Sequence, residues 1–278
     1  MRRCRHWRAR PVSAQLLIVR GSRRDNESTL NRWRANGVEG VASLSGTTLR
    51  HLEENAELHV DGGRLSRGAG YAEAPRHARH ALARMGAVLR LRKHNRFYIH
   101  ASGVVNRHGT AMMFVGESGS GKSTLAYALT RQGWTLLGDD GIVLEPLAGS
   151  VLVHGWRAPS MVSTTLAPYF PEMLGRQNEV VAGDERNRVP VRLATAGHAR
   201  LGGITFVSQG VPGSLRPCGQ AHALTMLIRQ SPWVLLGDPE SGAHFRALQS
   251  IAGTVQTHEL VHGPAELLRV GEIFGFAA

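Results

Sequence analysis

Apolar positions along the chain keep two rhythms. Alternating or continuous short runs predict strands at residues 15–19, 97–105, 110–115, 134–137, 142–145, 151–153 and 203–208. Glycine turns join some of them. Asp61-Gly62-Gly63 sits inside a hairpin running from Glu57 to Leu65, Asn106-Arg107-His108-Gly109 separates residues 97–105 from 110–115, and Leu147-Ala148-Gly149-Ser150 closes a third hairpin. Helical spacing appears where Ala78, Leu82, Met85 and Leu89 recur, with Arg76, Arg79 and Arg90 elsewhere on the wheel. Further helices are expected at 124–132, stopped by Gly133 at C′, at 221–229, and at 265–274 behind Gly263-Pro264. Residues 159–186 hold no steady period and read as a loop region over a substrate. Trp233 to Asp238 imitates an apolar strand ending in an acid. Asp238 before Pro239 and Glu240 reads better as the N-cap of a helix running to Ile251.

One stretch changes the picture. Gly116-Glu117-Ser118-Gly119-Ser120-Gly121-Lys122-Ser123 matches G-x-x-x-x-G-K-[ST], with an apolar strand before it and a helix beginning with Thr124 after it. Glycines let the backbone curl so that successive N–H groups face phosphate oxygens. The helix start adds free amides and the positive end of its dipole. Lys122 can then reach β- and γ-phosphates, and the Ser123 hydroxyl can sit on Mg²⁺. Residues 116–124 are therefore expected to bind a nucleoside triphosphate. A guanine-reading N-K-x-D motif is absent, so ATP is the expected donor.

Composition narrows the rest. The chain has 278 residues, 42% hydrophobic and 19% charged, ordinary for a globular protein with an ample core. Its net charge of +12 rests on 31 arginines and only two lysines, Lys93 and Lys122. There is no block of five basic residues and aromatics are only 6%, which argues against nucleic acid as the main partner and leaves attraction for acidic peptides and nucleotides. Cys4 and Cys218 are isolated and lack CxxC spacing, so neither a zinc site nor a disulfide framework is read. The apolar run behind the basic start is too short for a signal, and nothing approaches a membrane span. A cytoplasmic protein without a membrane partner is expected. Oligomeric state stays open, a homo-oligomer included.

Asp139-Asp140 ends the strand reached directly after the P-loop helix, with Asp140 seventeen residues past Ser123. Two carboxylates beside a γ-phosphate suggest that one holds Mg²⁺ and the other takes the proton of an attacking hydroxyl.

His100, the P-loop and Gly133-Trp134-Thr135-Leu136-Leu137-Gly138-Asp139-Asp140 together resemble the catalytic domain of the HPr serine kinase/phosphorylase family, and Val189-Pro190-Val191-Arg192 resembles a later segment of it. The resemblance covers about residues 95 to 208 and is specific from 100 to 140. It implies an α/β fold, a P-loop kinase core of mixed sheet with helices related to phosphoenolpyruvate carboxykinase, occupying 93–278. Residues 1–92 would form a small α+β N-terminal region. It also implies ATP/Mg²⁺-dependent phosphorylation of a serine hydroxyl. Asp140 would be the base, Lys122 the phosphate clamp, Ser123 and Asp139 the magnesium side, and His100 a neighbour of the reacting phosphate. The family's E-I-R-G-L-G segment is lacking, and Leu193-Ala194-Thr195 stands where Pro-Gly-Arg-Asn would follow. The chain is more similar to short, stand-alone members found with bacterial peptide-modification systems. Among these are kinases acting on a serine of a lasso-peptide precursor, so a peptide or small protein carrying a serine is the expected acceptor.

Overall fold

In a computed structural model, the described residues are 17–19, 29–43, 45–156, 159–180, 184, 186–210 and 215–274. The expected strand at 15–19 is described only over Leu17–Val19, and Cys4 lies outside the described residues. The chain divides into two compact units.

The first unit takes in 13–98 and Ser231–Ser250. Strands β1 (Leu17–Val19), β2 (Thr29–Ala35), β3 (Val38–Ser43), β4 (Gly46–His51), β5 (Glu57–Asp61) and β6 (Arg64–Arg67) form one antiparallel meander in sequence order. Helix α1 (Arg76–Lys93) packs on it through Ala78, Leu82, Met85 and Leu89, the stripe that the spacing marks. Gly86 of that helix has Leu58 and Leu65 so near that a Cβ would meet them at 2.7 and 3.1 Å. Strands β2 to β4 escape the periodicity because Arg, Asn, Thr and Gly interrupt their apolar positions. Even so, Trp33, Val38 and Leu49 are buried.

The segment Trp233 to Asp238 is a 3-10 turn (Pro232–Leu235) and a bend rather than a strand. Asp238 is not the helix N-cap either, because α4 begins at Ser241 (Ser241–Thr254). Instead the Asp238 carboxylate receives a two-pronged pair from Arg92, one prong at 2.7 Å, and accepts from Ser241 Oγ at 2.9 Å. A guanidinium buried to 1% exposure holds its charge only with such a partner, and that demand outweighs the cap.

Strand β7 (Phe97–Ile99) carries the chain into the second unit, which covers Ile99–Gln230 and the part of the chain after Ile251. Here β8 (Ala101–Val105) and β9 (Thr110–Val115) form the expected hairpin. A bend at His100 splits what reads as one run from 97 to 105. The P-loop leads into α2 (Lys122–Thr130). Its C-cap is Arg131, and Gly133, left-handed at φ 89°, comes two residues later. Then follow β10 (Thr135–Gly138), the hairpin of β11 (Ile142–Leu147) and β12 (Ser150–Gly155), β13 (Ser160–Ser163), β14 (Arg188–Val191), β15 (His198–Gln209) and β16 (Arg216–Pro217). After these come α3 (Gln220–Gln230), β17 (Gln256–His262) and α5 (Val270–Ile273).

Two expectations are corrected. The stretch 159–186 is not merely a loop: β13 pairs antiparallel with β14, and three 3-10 turns lie between. The C-terminal helix of 265–274 is a 3-10 run, Pro264–Arg269, followed by one short turn of α-helix.

The sheet is mixed. Strand β15 runs parallel to β9 on one side and β17 on the other, β12 pairs antiparallel with its start, and β10 pairs antiparallel with β8. Strands β9, β15 and β17 therefore end at one edge, at Val115, Gln209 and His262, and β10 points the same way. In open α/β sheets ligand sites sit at such carboxyl ends. Helix α2 is buried through Leu125, Ala126, Tyr127, Ala128 and Leu129, packed among Val104, Phe114, Phe170, Val189 and Val207. Truncating Leu125 there would cost about 2–5 kcal/mol. The loop ahead of α2 thus stands on a rigid base.

Candidate functional site

The P-loop turns where only glycine fits. At Gly116 a Cβ would lie 2.4 Å from the Val207 carbonyl oxygen, and at Gly121, with φ 97°, it would lie 2.3 Å from His262 Nε2. Lys122 curls back over the loop and donates from Nζ to the Gly116 and Glu117 carbonyls at 2.8 and 3.0 Å. Burial pulls its pKa down to about 8, opposed in order by the charges of Asp139, Asp140 and Glu117.

Asp139 is the organising group, 1% exposed at the end of β10. One oxygen accepts from Ser123 Oγ at 2.8 Å, from the Asp140 amide at 3.0 Å and from Ser102 Oγ. The other accepts from Ser160 Oγ at 3.0 Å and the Met161 amide at 3.2 Å. Five donors fix a carboxylate in direction. Asp140 faces the opposite situation. Its backbone is left-handed at φ 60°, its side chain is 47% exposed, and one of its oxygens lies 3.3 Å from His100 Nδ1.

A cleft of about 990 Å³ joins these groups, which is room for a nucleotide-sized ligand. His100, Ser102, Lys122, Ser123, Thr124, Asp139 and Asp140 line it, together with Ser118, Gly119 and Gly121. The structure thus brings every catalytic and metal candidate from the sequence to one wall. Of the remaining loop residues, Gly116 provides a carbonyl to Lys122, and Glu117 faces Arg229 at 3.7 Å with both side chains mostly exposed. Ser120 has a buried hydroxyl without a hydrogen-bond partner among the described residues. A donor set of hydroxyl and carboxylate oxygens, Ser123 with Asp139, is hard-ligand chemistry and fits magnesium.

Four participants are not read from the sequence. Ser102 lies two residues beyond His100 at the start of β8, so strand alternation could have found it. Ser160 comes from β13, inside the stretch taken for loop. Arg186 donates to Ser118 Oγ at 3.2 Å across the mouth of the P-loop. His262, 3% exposed, sits 3.1 Å from the Ser120 carbonyl oxygen; it reaches the loop because β17 runs parallel to β15, which no local pattern encodes.

Fold and site together define an α/β protein whose strand, glycine loop and helix stand at the carboxyl edge of a mixed sheet. No protein-family model matches the chain, and no curated protein matches it. Among solved structures, the HPr(Ser) kinase/phosphatase from Coxiella burnetii is similar over 63% of this chain and 91% of its own, at 14% identity and a TM-score of 0.31. No helix among the described residues is long and apolar enough to cross a membrane.

Proposed function

We propose that this chain is an ATP- and Mg²⁺-dependent kinase that transfers the γ-phosphoryl group to a serine hydroxyl of a peptide or small protein. The observation that carries the reading is the division between the two acids: Asp139 buried and bonded to Ser123, Asp140 half exposed on the same cleft beside His100.

In this reading the loop amides and Lys122 hold the phosphates of ATP, the ammonium leaving the Gly116 and Glu117 carbonyls for phosphate oxygen. Ser123 and Asp139 hold the magnesium ion, which when bound neutralises charge on the phosphates. Asp140 accepts the proton of the serine hydroxyl as its oxygen attacks the γ-phosphorus, and the β–γ bridging oxygen leaves with ADP. His100 positions the Asp140 carboxylate. Arg186 and Arg188 on the cleft favour an acidic acceptor, with a ribosomal precursor peptide of the lasso type as the preferred candidate.

Incubation with ATP, Mg²⁺ and acidic serine-bearing peptides, followed by intact-mass analysis, tests the reading. The expected result is a gain of one phosphate on serine. ATP turnover with no phosphorylated peptide or protein would favour a nucleotide-driven switch instead, and the proposal would fall.

A further inference from the structure

A second cluster lies outside the cleft, in the same unit. Cys218, His222 and Glu259 offer a thiol, an imidazole and a carboxylate whose ligand atoms all lie within 4.8 Å of one another. Three elements deliver them. Cys218 follows β16, His222 stands in the first turn of α3, and Glu259 is on β17 opposite Arg216.

The placement is held by main chain. The Cys218 amide donates to the Thr257 carbonyl at 2.9 Å, and Thr257 Oγ1 donates back to the Cys218 carbonyl at 2.9 Å, which fixes the thiol's backbone against β17. The Ala223 amide donates to the Gly219 carbonyl at 2.9 Å, opening α3 just after the cysteine, so His222 stands one helical turn beyond it. The His222 ring meets Phe206 edge-on at 6.5 Å, and Phe206 is the register partner of Glu259. His222 Nε2 lies 3.1 Å from Glu259 Oε1, and the thiol lies 3.6 Å from the Gly219 carbonyl oxygen.

We infer that Cys218, His222 and Glu259 form a binding site for a zinc-type divalent ion, completed by solvent in a fourth position. Sulfur, nitrogen and oxygen ligands in one tetrahedral sphere suit zinc and its cobalt substitute, whereas magnesium and calcium prefer oxygen alone. A carboxylate packed against a sulfur ligand is repulsive once the thiol ionises. A cation between the two reverses that. Ion binding would displace the thiol proton to solvent. The exposed sides of His222 and Glu259 leave an entry path. The consequence is a cross-link of β16, α3 and β17, independent of nucleotide chemistry.

The test uses metal-stripped protein carrying Cys4→Ser, so that Cys218 is the only thiol, titrated with Co²⁺ alone. One equivalent is expected to give thiolate-to-cobalt charge-transfer absorption that Zn²⁺ displaces and millimolar Mg²⁺ leaves intact. Adding Cys218→Ser should abolish the band, and Glu259→Gln should weaken binding by roughly tenfold or more. Zn²⁺ should raise the melting temperature of the Cys4→Ser protein and slow alkylation of its Cys218. No thiolate band, a band that survives Cys218→Ser, or alkylation unaffected by Zn²⁺ would overturn the site. The alkylation arm stands even where a variant folds poorly.

Discussion

Each unit of the molecule buries a network of histidine, serine, acid and base, and the two are built to opposite ends. In the first unit Ser231 donates to the Tyr98 carbonyl at 2.7 Å, so the 2.9 Å contact with His244 Nε2 has the imidazole donating. That polarity is the reverse of a nucleophile activated by a base. His244 stacks on Phe97 at 4.5 Å, and burial, then Arg92, push its pKa down to about 3, so it stays neutral. Ser231 and His244 are fully buried, and the Arg92–Asp238 pair is joined by Ser241. In the second unit Asp139 is as deeply buried, but its neighbours Asp140 and His100 open onto a cleft and Lys122 waits on carbonyls it can leave. Burial with no opening to a cleft is architecture, whereas burial that fixes a half-exposed neighbour is what the proposed chemistry needs.

Three outcomes would sharpen or break that contrast. The largest is at the closed network: Asp238→Ala leaves the Arg92 guanidinium buried without its partner and should cost about 3–5 kcal/mol. That is a fall in melting temperature of roughly 6–20 °C by calorimetry, with ATP affinity unchanged. A loss of nucleotide binding at retained stability would contradict the division.

Next comes pH. With Lys122 pulled down to about 8 in the nucleotide-free protein, its ammonium is mostly formed at pH 7 and lost as pH rises through that value. The kcat/KM for ATP should therefore fall roughly tenfold per unit on the basic limb. A flat profile to pH 10 would show that the ammonium does not serve phosphate binding. The smallest effect is at His244→Phe, which keeps the stacked shape, leaves only one lone pair of Ser231 unmet and should shift stability by about 1 kcal/mol or less.

The same contrast governs what could be read from residues alone. Strand, loop and helix around Gly116 to Lys122 are local features, and so is the acid pair one helix later. The strand and the acid pair stand where the sequence puts them, and the helix lies two residues earlier than its pattern suggests. The α1 stripe and the hairpins around Gly63, Gly109 and Gly149 are likewise local. What escapes is whatever depends on distant partners. Asp238 is drawn from its cap by Arg92, 146 residues away. Ser160 and His262 join the site through a strand pair and a parallel crossover, and Cys218 meets Glu259 across two elements. Strands β2 to β4 escape too, because their burial comes from facing α1 and Trp233 rather than from alternation of their own residues.

The most direct measurement compares wild type and Asp140→Asn in single-turnover phosphoryl transfer to a serine acceptor, with ATP affinity measured on the same samples. Loss of general-base assistance should slow transfer by about 10²–10⁴ while ATP binds as before. Transfer at the wild-type rate, or a fall explained entirely by weaker ATP binding, would contradict the role given to this carboxylate.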